Sequence, residues 1–438
     1  MKYTLLTILF VARTVCFAVD AKSFGAKGDG IQDDTPYLNN AIAGALAAGE
    51  DLFIPSGTYM CNIFTSESNI LMMDQIGVKK IRIYGEDGTK ITTSKPIGSI
   101  FYVYYAALDV VIENIFFENT HGITMTQTNA IVLAGTNDNA IKNFTIKNCR
   151  FEGFSTAISP QGVKGLTISN NIFESPKGHD NAQDNSQPAV YVWLADNQNG
   201  QCYDVQILNN LVNGYTGSNI ATTTKTMRPM DGFVFGTGYN VRVEGNITRN
   251  LSEEHIAFQP SVSYPALNYP VVITGNKFYQ SLPAGCMKDG APLVSNYGVR
   301  TDCNNVTISN NDFYDYTVGV LIWPFQYPLL KQHGYVVSGN RFYSPNSKIY
   351  YFSEAVKVQA TQANPASDIR ITDNIITIDG IQLKSNKSVI ALYDCAKITI
   401  QNNNIKSKNV DLNKYILSGI LVQRCTEVAN TGNVVDIK

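Results

Sequence analysis

The sequence predicts an all-β chain: a single parallel β-helix of about ten or more coils behind a short N-terminal capping helix. Three observations predict it. A phrase of alternating apolar residues, then Asn or Gly, then Asn and another apolar pair recurs along the 438 residues, as in "FTIKNCRF", "LTISNNIF", "VTISNNDF" and "ITIQNNNI". The recurrence is spaced like a solenoid, from 22 residues (Asn148 to Asn170) to 39 (Asn170 to Asn209). Inside each phrase the apolar period is two, which is that of a strand, and helical periodicity is absent through most of the chain.

Taken in order, residues 1–18 read as a secretory signal. Lys2 supplies the charge, Leu5 to Ala12 a short apolar run and Cys16-Phe17-Ala18 a small-x-small cleavage site, although Arg13 interrupts the pattern. Residues 19–60 form the cap. Asp29 serves a turn, Asp33 or Asp34 caps a helix through "TPYLNNAIAGALAAG", and Gly49 closes it. Residues 61–438 form the β-helix. Its turn residues are Asn114, Asn148, Asn170, Asn209, Gly245, Gly275, Asn310, Gly339, Asp373, Asn402 and Gly432, types that tolerate a left-handed backbone. Each coil also needs a second strand. Its inward pairs read as Val190/Val192, Phe233/Phe235, Ile256/Phe258, Val299/Thr301, Val320/Ile322, Val356/Val358, Ile390/Leu392 and Ile420/Val422, with their alternate neighbours outward.

The phrase "FGAKGDG…DDT" before the helix and "PSGTY" after it resemble the N-terminal part of the pectate-lyase-like right-handed β-helix superfamily. That resemblance implies a right-handed solenoid and an activity on polysaccharides. Polygalacturonases, pectate lyases, epimerases and phage tailspike depolymerases all share the scaffold, so the fold alone does not choose among them.

The chemistry-bearing stretch is "MRPMDGFVFGTG" followed one coil later by "NLSEEHIAFQP". The register places Glu254 in the column of Asp231, with Glu253 beside it and His255 pointing outward. Stacked coils are ~4.8 Å apart, so the acids meet. Close carboxylates cannot all ionise freely, and a pair with separated affinities for the proton is what cleavage of a glycosidic bond uses. The stretch resembles the polygalacturonases, which carry "NTDGID" and then "GDDCIAI". The resemblance implies catalytic roles for Asp231, Glu253 and Glu254, with His255 where the family has Cys. The family's later "GHG" and "RIK" motifs are absent; the next coils read "NYGVRTDC" and "VGVLIWPF".

On the same register, Tyr191 and Trp193 lie one coil before Asp231, Arg228 just precedes it, Gln259 flanks His255, and Arg300 and Asp302 follow one coil on. Trp323 is expected to share Trp193's position, which would give two aromatic platforms for sugar faces. Arg300 suits an acidic substituent. Hydrolysis by an exported enzyme is the leading expectation. A lyase or epimerase using Arg300, His255 or a Tyr, and a non-catalytic tailspike-like binder, are the alternatives; a trimer is expected if the chain is tailspike-like.

The remaining composition narrows the partners. A formal net charge of -2 with 16% charged residues offers no basic patch for nucleic acid. No apolar run is long enough to span a membrane. Seven cysteines follow the signal, with no CxxC or His–Cys cluster, so a zinc site is not expected; no other metal ligand or cofactor is assigned, and the metal requirement is left open by the sequence. A Cys286–Cys303 bridge is a candidate. Asp180, Asp184 and Asp196 lack EF-hand spacing. Sequons stand at Asn143, Asn246, Asn250, Asn305 and Asn386.

Overall fold

The computed structural model describes residues 18–437 apart from 66–68, 74–78, 96–97, 105–106, 122–127, 175–188, 195–199, 215–229, 237, 252, 260–269, 281–286, 289–290, 293–296, 324–331, 345–353, 380–386 and 409–416. Residues 1–17 of the proposed signal, Arg228, His179, Cys286, Asp180, Asp184 and Asp196 lie outside the described residues, as does the side chain of Tyr191.

Three parallel sheets of 14, 14 and 12 strands wind into a right-handed β-helix, each strand paired with its equivalents one coil before and one coil after. Antiparallel pairing among the described residues is confined to two short strands, Met287–Lys288 with Ala291–Pro292, and the single bridge Thr361–Asn364. Apolar side chains from all three sheets fill one continuous core. They stack coil on coil: Phe117 on Phe151 on Phe173 at 5.4 and 5.1 Å between ring centres, and Phe278 on Phe313 on Phe342 at 4.8 and 4.7 Å.

The expected turn residues all have left-handed backbones, with φ between 54° (Asn148) and 67° (Gly245). Asn, Asp and Gly alone enter this region at little cost, which explains the recurrent residue types. The residue after each turn does different work. Asn171, Asn210, Asn246, Asn276, Asn311, Asn340, Asn374, Asn403 and Asn433 form a ladder in which each Nδ2 donates to the next Oδ1 at 2.8–3.1 Å. Eight of the nine are buried, and their amides satisfy backbone groups where the chain leaves one sheet for the next. Asn246 is therefore inside the fold and cannot be a glycan acceptor in it.

Helix α1, Thr35–Ala48, covers the N-terminal end and buries Leu38, Ala41, Ile42 and Ala45 against the core. Asp34 stands at its N-cap position without a side-chain cap bond, and Asp33 just before it accepts from the Thr35 N–H at 3.1 Å. Asp34 instead folds back, accepting from the Lys27 and Gly28 N–H groups at 2.9 and 3.0 Å. Asp29 takes the Ile31 and Gln32 N–H groups, as a turn residue should. Gly49 closes the helix at φ 67°.

Two register expectations are corrected. Val192 and Leu194, not Val190 and Val192, stand in the columns of Phe233 and Phe235. Alternation cannot detect this slip, because a shift of two residues keeps every side chain on its face. The second correction concerns the residue after Glu254. In the 12-stranded sheet the pairing skips one column, between Asn69 and Leu71, Ser99 and Phe101, and Glu254 and Ile256. The chain bends there, and this column faces the core. It holds Ile70, Ile100, Ala130, Ala157, Ala355 and Val389, all buried. A Cβ on Gly298 would come within 2.5 Å of the Phe313 ring. His255 occupies the same column and points inward.

Candidate functional site

The outward face of the 12-stranded sheet carries the acids. Phe233 pairs with Ile256, and the same offset brings Asp231 onto Glu254. The Glu254 N–H donates to Asp231 Oδ1 at 2.9 Å, fixing the first carboxylate at the start of the next strand. Asp231 and Glu254 are buried and Glu253 is half-buried. One oxygen from each of the three carboxylates lies within 4.8 Å of the other two. That is close enough for a proton to be shared by one sugar oxygen and these acids, or for one cation to be held by all three.

Arg300, one coil on, spans two of the acids. Its Nη1 lies 3.1 Å from Glu254 Oε1 and its Nη2 3.6 Å from Asp302 Oδ2. The guanidinium carbon is 4.8 Å from the centre of the Trp323 ring, a cation–π contact. Arg300 is thus engaged by protein carboxylates and an aromatic face, an arrangement that positions Glu254. Asp302 is fully buried, and neither of its carboxylate oxygens has a hydrogen-bond partner. Burial pushes its pKa up to about 7; Glu254 adds to the rise and Arg300 opposes it.

His255 leaves the set. It is 1% exposed, its Nδ1 lies 2.5 Å from Thr248 Oγ1, and its ring meets Phe278 edge-on at 5.7 Å. Burial lowers its pKa to about 3, so it is a neutral core residue. Gln259, half-buried, continues the strand by donating its N–H to the Phe235 carbonyl at 3.0 Å.

The two tryptophans do not share a column. Trp193 aligns with Val234, Ala257 and Arg300, and packs on Val234 and Ala257 outside the core. Trp323 follows Ile322 and donates its backbone N–H to Thr301, which places it level with Asp302. They still bracket the acids, from the coil before Asp231 and from the coil after Arg300. Tyr297 was not singled out from the sequence, yet it pairs with Glu254 and donates its N–H to the Glu253 carbonyl at 3.0 Å. The signal was available: Tyr297 precedes Val299 by two residues, as Glu254 precedes Ile256. Glu354 shares the column three coils from Glu254, with Oε2 buried and lacking a hydrogen-bond partner.

Comparisons with known proteins agree with this architecture. The A-module of the mannuronan C-5 epimerase AlgE6 of Azotobacter vinelandii is 15% identical with a TM-score of 0.51, covering 95% of this chain and 98% of that one. The surface adhesin PfbA of Streptococcus pneumoniae is 16% identical with a TM-score of 0.54, covering 94% and 93%. The Dettilon tailspike protein is 13% identical with a TM-score of 0.55, covering 96% and 68%. At these identities the likeness is one of fold. A curated relative, the non-secreted LysM effector LysM19 of Penicillium expansum, is 45% identical over 42 residues; the match spans 10% of this chain and 3% of that protein's length. Among the described residues no helix is long and apolar enough to cross a membrane. The model of the family described as rhamnogalacturonase A/epimerase, pectate lyase-like matches residues 18–254, which is more than half of the chain and runs from the first strand through all three clustered acids. The chain belongs to that family.

Proposed function

We propose that the chain is an exported carbohydrate-active enzyme that cleaves glycosidic bonds of a polysaccharide by acid/base hydrolysis at Asp231, Glu253 and Glu254. The observation that carries this reading is the placement of three carboxylates on adjacent coils, with oxygens within 4.8 Å, on the outward face of a rigid sheet. Asp231, oriented by the Glu254 N–H through one oxygen, is the group that protonates the leaving oxygen. Glu253, the most exposed of the three, is placed to activate water. Glu254, ion-paired to Arg300, stabilises positive charge developing on the sugar ring. Trp193 and Trp323 border the acids and supply apolar faces for sugar rings.

Digestion of a glycan panel with mass analysis tests the reading. On a glycan that the wild type cleaves, products gain the mass of water, and Asp231→Asn, Glu253→Gln and Glu254→Gln each lower kcat by about 10²–10⁴-fold with the fold intact. Full activity in all three variants would remove these residues from the mechanism.

A second reading rests on the same oxygens. Three carboxylates at this separation suit a divalent cation, which would bridge to the carboxylate of a uronate and acidify its neighbouring C–H for elimination or epimerisation. In that case a chelator abolishes activity, and the products absorb in the ultraviolet or change configuration without gaining water. The engagement of Arg300 by Glu254 and Asp302 weighs against it as the base in this chemistry.

A further inference from the structure

We propose that Cys395 and Cys425 are the site of a disulfide that fastens the last coil of the solenoid to the coil before it. The register supports the pairing on both sides. Tyr393 pairs with Gln423 and Ala396 with Thr426, and the same offset sets Cys395 opposite Cys425 at the corner between two sheets. Neighbouring strands are ~4.8 Å apart, inside the ~4.4–6.8 Å that Cα atoms of a disulfide span.

The two thiols share one small space. The Cys395 N–H donates to Cys425 Sγ at 3.4 Å. Cys425 Sγ lies 3.7 Å from the Leu392 carbonyl and 3.3 Å from that of Gln423, while Cys395 Sγ lies 3.1 Å from that of Tyr393. Immediately beside them Arg424 and Asp394 bind through two parallel contacts, Nε to Oδ1 at 2.7 Å and Nη2 to Oδ2 at 2.8 Å. This fork holds the two coils in register beside the cysteine pair. Other cysteines are placed differently: the register sets Cys149 opposite Asn171 and Cys202 opposite Gly238 one coil on.

The location gives the bond a purpose. The coil from Leu417 to Ile437 carries exposed Val428, Val434 and Val435. Helix α1 covers the opposite end of the core. A covalent link here joins a coil that carries these exposed apolar residues to the coil before it, and it opposes their local separation.

The oxidant is a disulfide, either that of a thiol–disulfide oxidoreductase or of an oxidised small-molecule thiol. Burial pushes the Cys395 thiol up, with Cys425 adding to the effect, so the more exposed Cys425 reacts first. Its thiolate attacks the oxidant's disulfide and expels one thiolate. The Cys395 sulfur then displaces the second, forming the S–S bond. Two protons and two electrons leave the protein, and the oxidant is reduced to two thiols. The inference is independent of the carbohydrate reading.

The test uses the full chain equilibrated with reduced and oxidised glutathione, unfolded without reductant, alkylated and digested. The expected result is a linked peptide containing Cys395 and Cys425, about 2 Da lighter than the sum of its parts, with Cys61, Cys149, Cys202 and Cys303 alkylated. Alkylation of both Cys395 and Cys425 would overturn the proposal. Limited proteolysis supplies a second readout. In the oxidised wild type, cleavage within residues 404–437 is slowed by about tenfold relative to the reduced protein, and Cys425→Ser and Cys395→Ser lose the difference. Equal rates in oxidised and reduced wild type would show that no bond secures this coil.

Discussion

His255 and Asp302 respond to acid in opposite directions, and both responses follow from burial. His255 binds its proton at about pH 3 in the fold but near its ordinary 6.5 when unfolded, so its contribution to stability is lost as pH falls through that interval. Asp302 has a folded pKa of about 7 against an ordinary 3.8; its contribution is complete at low pH and is lost as pH rises toward and through 7. In Asp302→Asn the decline in unfolding free energy between about pH 4 and 7 flattens by an amount on the order of 2–4 kcal/mol. An unchanged slope would mean that Asp302 does not titrate there. For His255→Ala the loss of the Thr248 contact and of ring volume costs about 2–4 kcal/mol in a urea titration. Any activity per folded molecule keeps its pH profile in this variant. A displaced profile would return His255 to the chemistry. Nothing in "SEEHIAF" separates this residue from its acidic neighbours; the bend that turns it inward is a property of the column, visible only when small and apolar residues at the same place in other coils are aligned.

The repeating corner divides its work between two adjacent residues, and substitutions there have different outcomes. Asn276 accepts from the Asn246 N–H and Nδ2 and donates to Asn311 and Val243. Asn276→Ala leaves buried backbone groups unmatched and lowers stability by about 2–4 kcal/mol in chemical denaturation. At the preceding kind of position the backbone matters more than the side chain. Asn310→Gly keeps the φ of 55° accessible and changes stability by less than about 1 kcal/mol. Comparable losses at the two sites would refute this division. The turn position was legible in the sequence because few residue types accept a left-handed backbone. The strand of Tyr191 and Trp193 was not, because "AVYVWL" is apolar throughout and offers no polar residue to fix which pair is Val192/Leu194.

At the scale of the molecule, repetition made the solenoid readable: ten weak strand signals at similar spacing exclude most other architectures, while any one of them would not. The site was readable only to the extent that it shared that register. Asp231, Glu253 and Glu254 came together because their coil is short and regularly patterned, whereas the link from Arg300 to Glu254 and Asp302 depends on side-chain reach that no alternation encodes. The asparagine ladder also has a direction. From Asn171 to Asn403 each carboxamide donates through Nδ2 to the Oδ1 of the next ladder residue toward the C-terminal side. Bonds in such a chain polarise one another in a low-dielectric interior. The side-chain links of the ladder thus run in one sense along the axis, while each Nδ2 also turns back to a main-chain carbonyl of the preceding coil, so every rung ties together three successive coils.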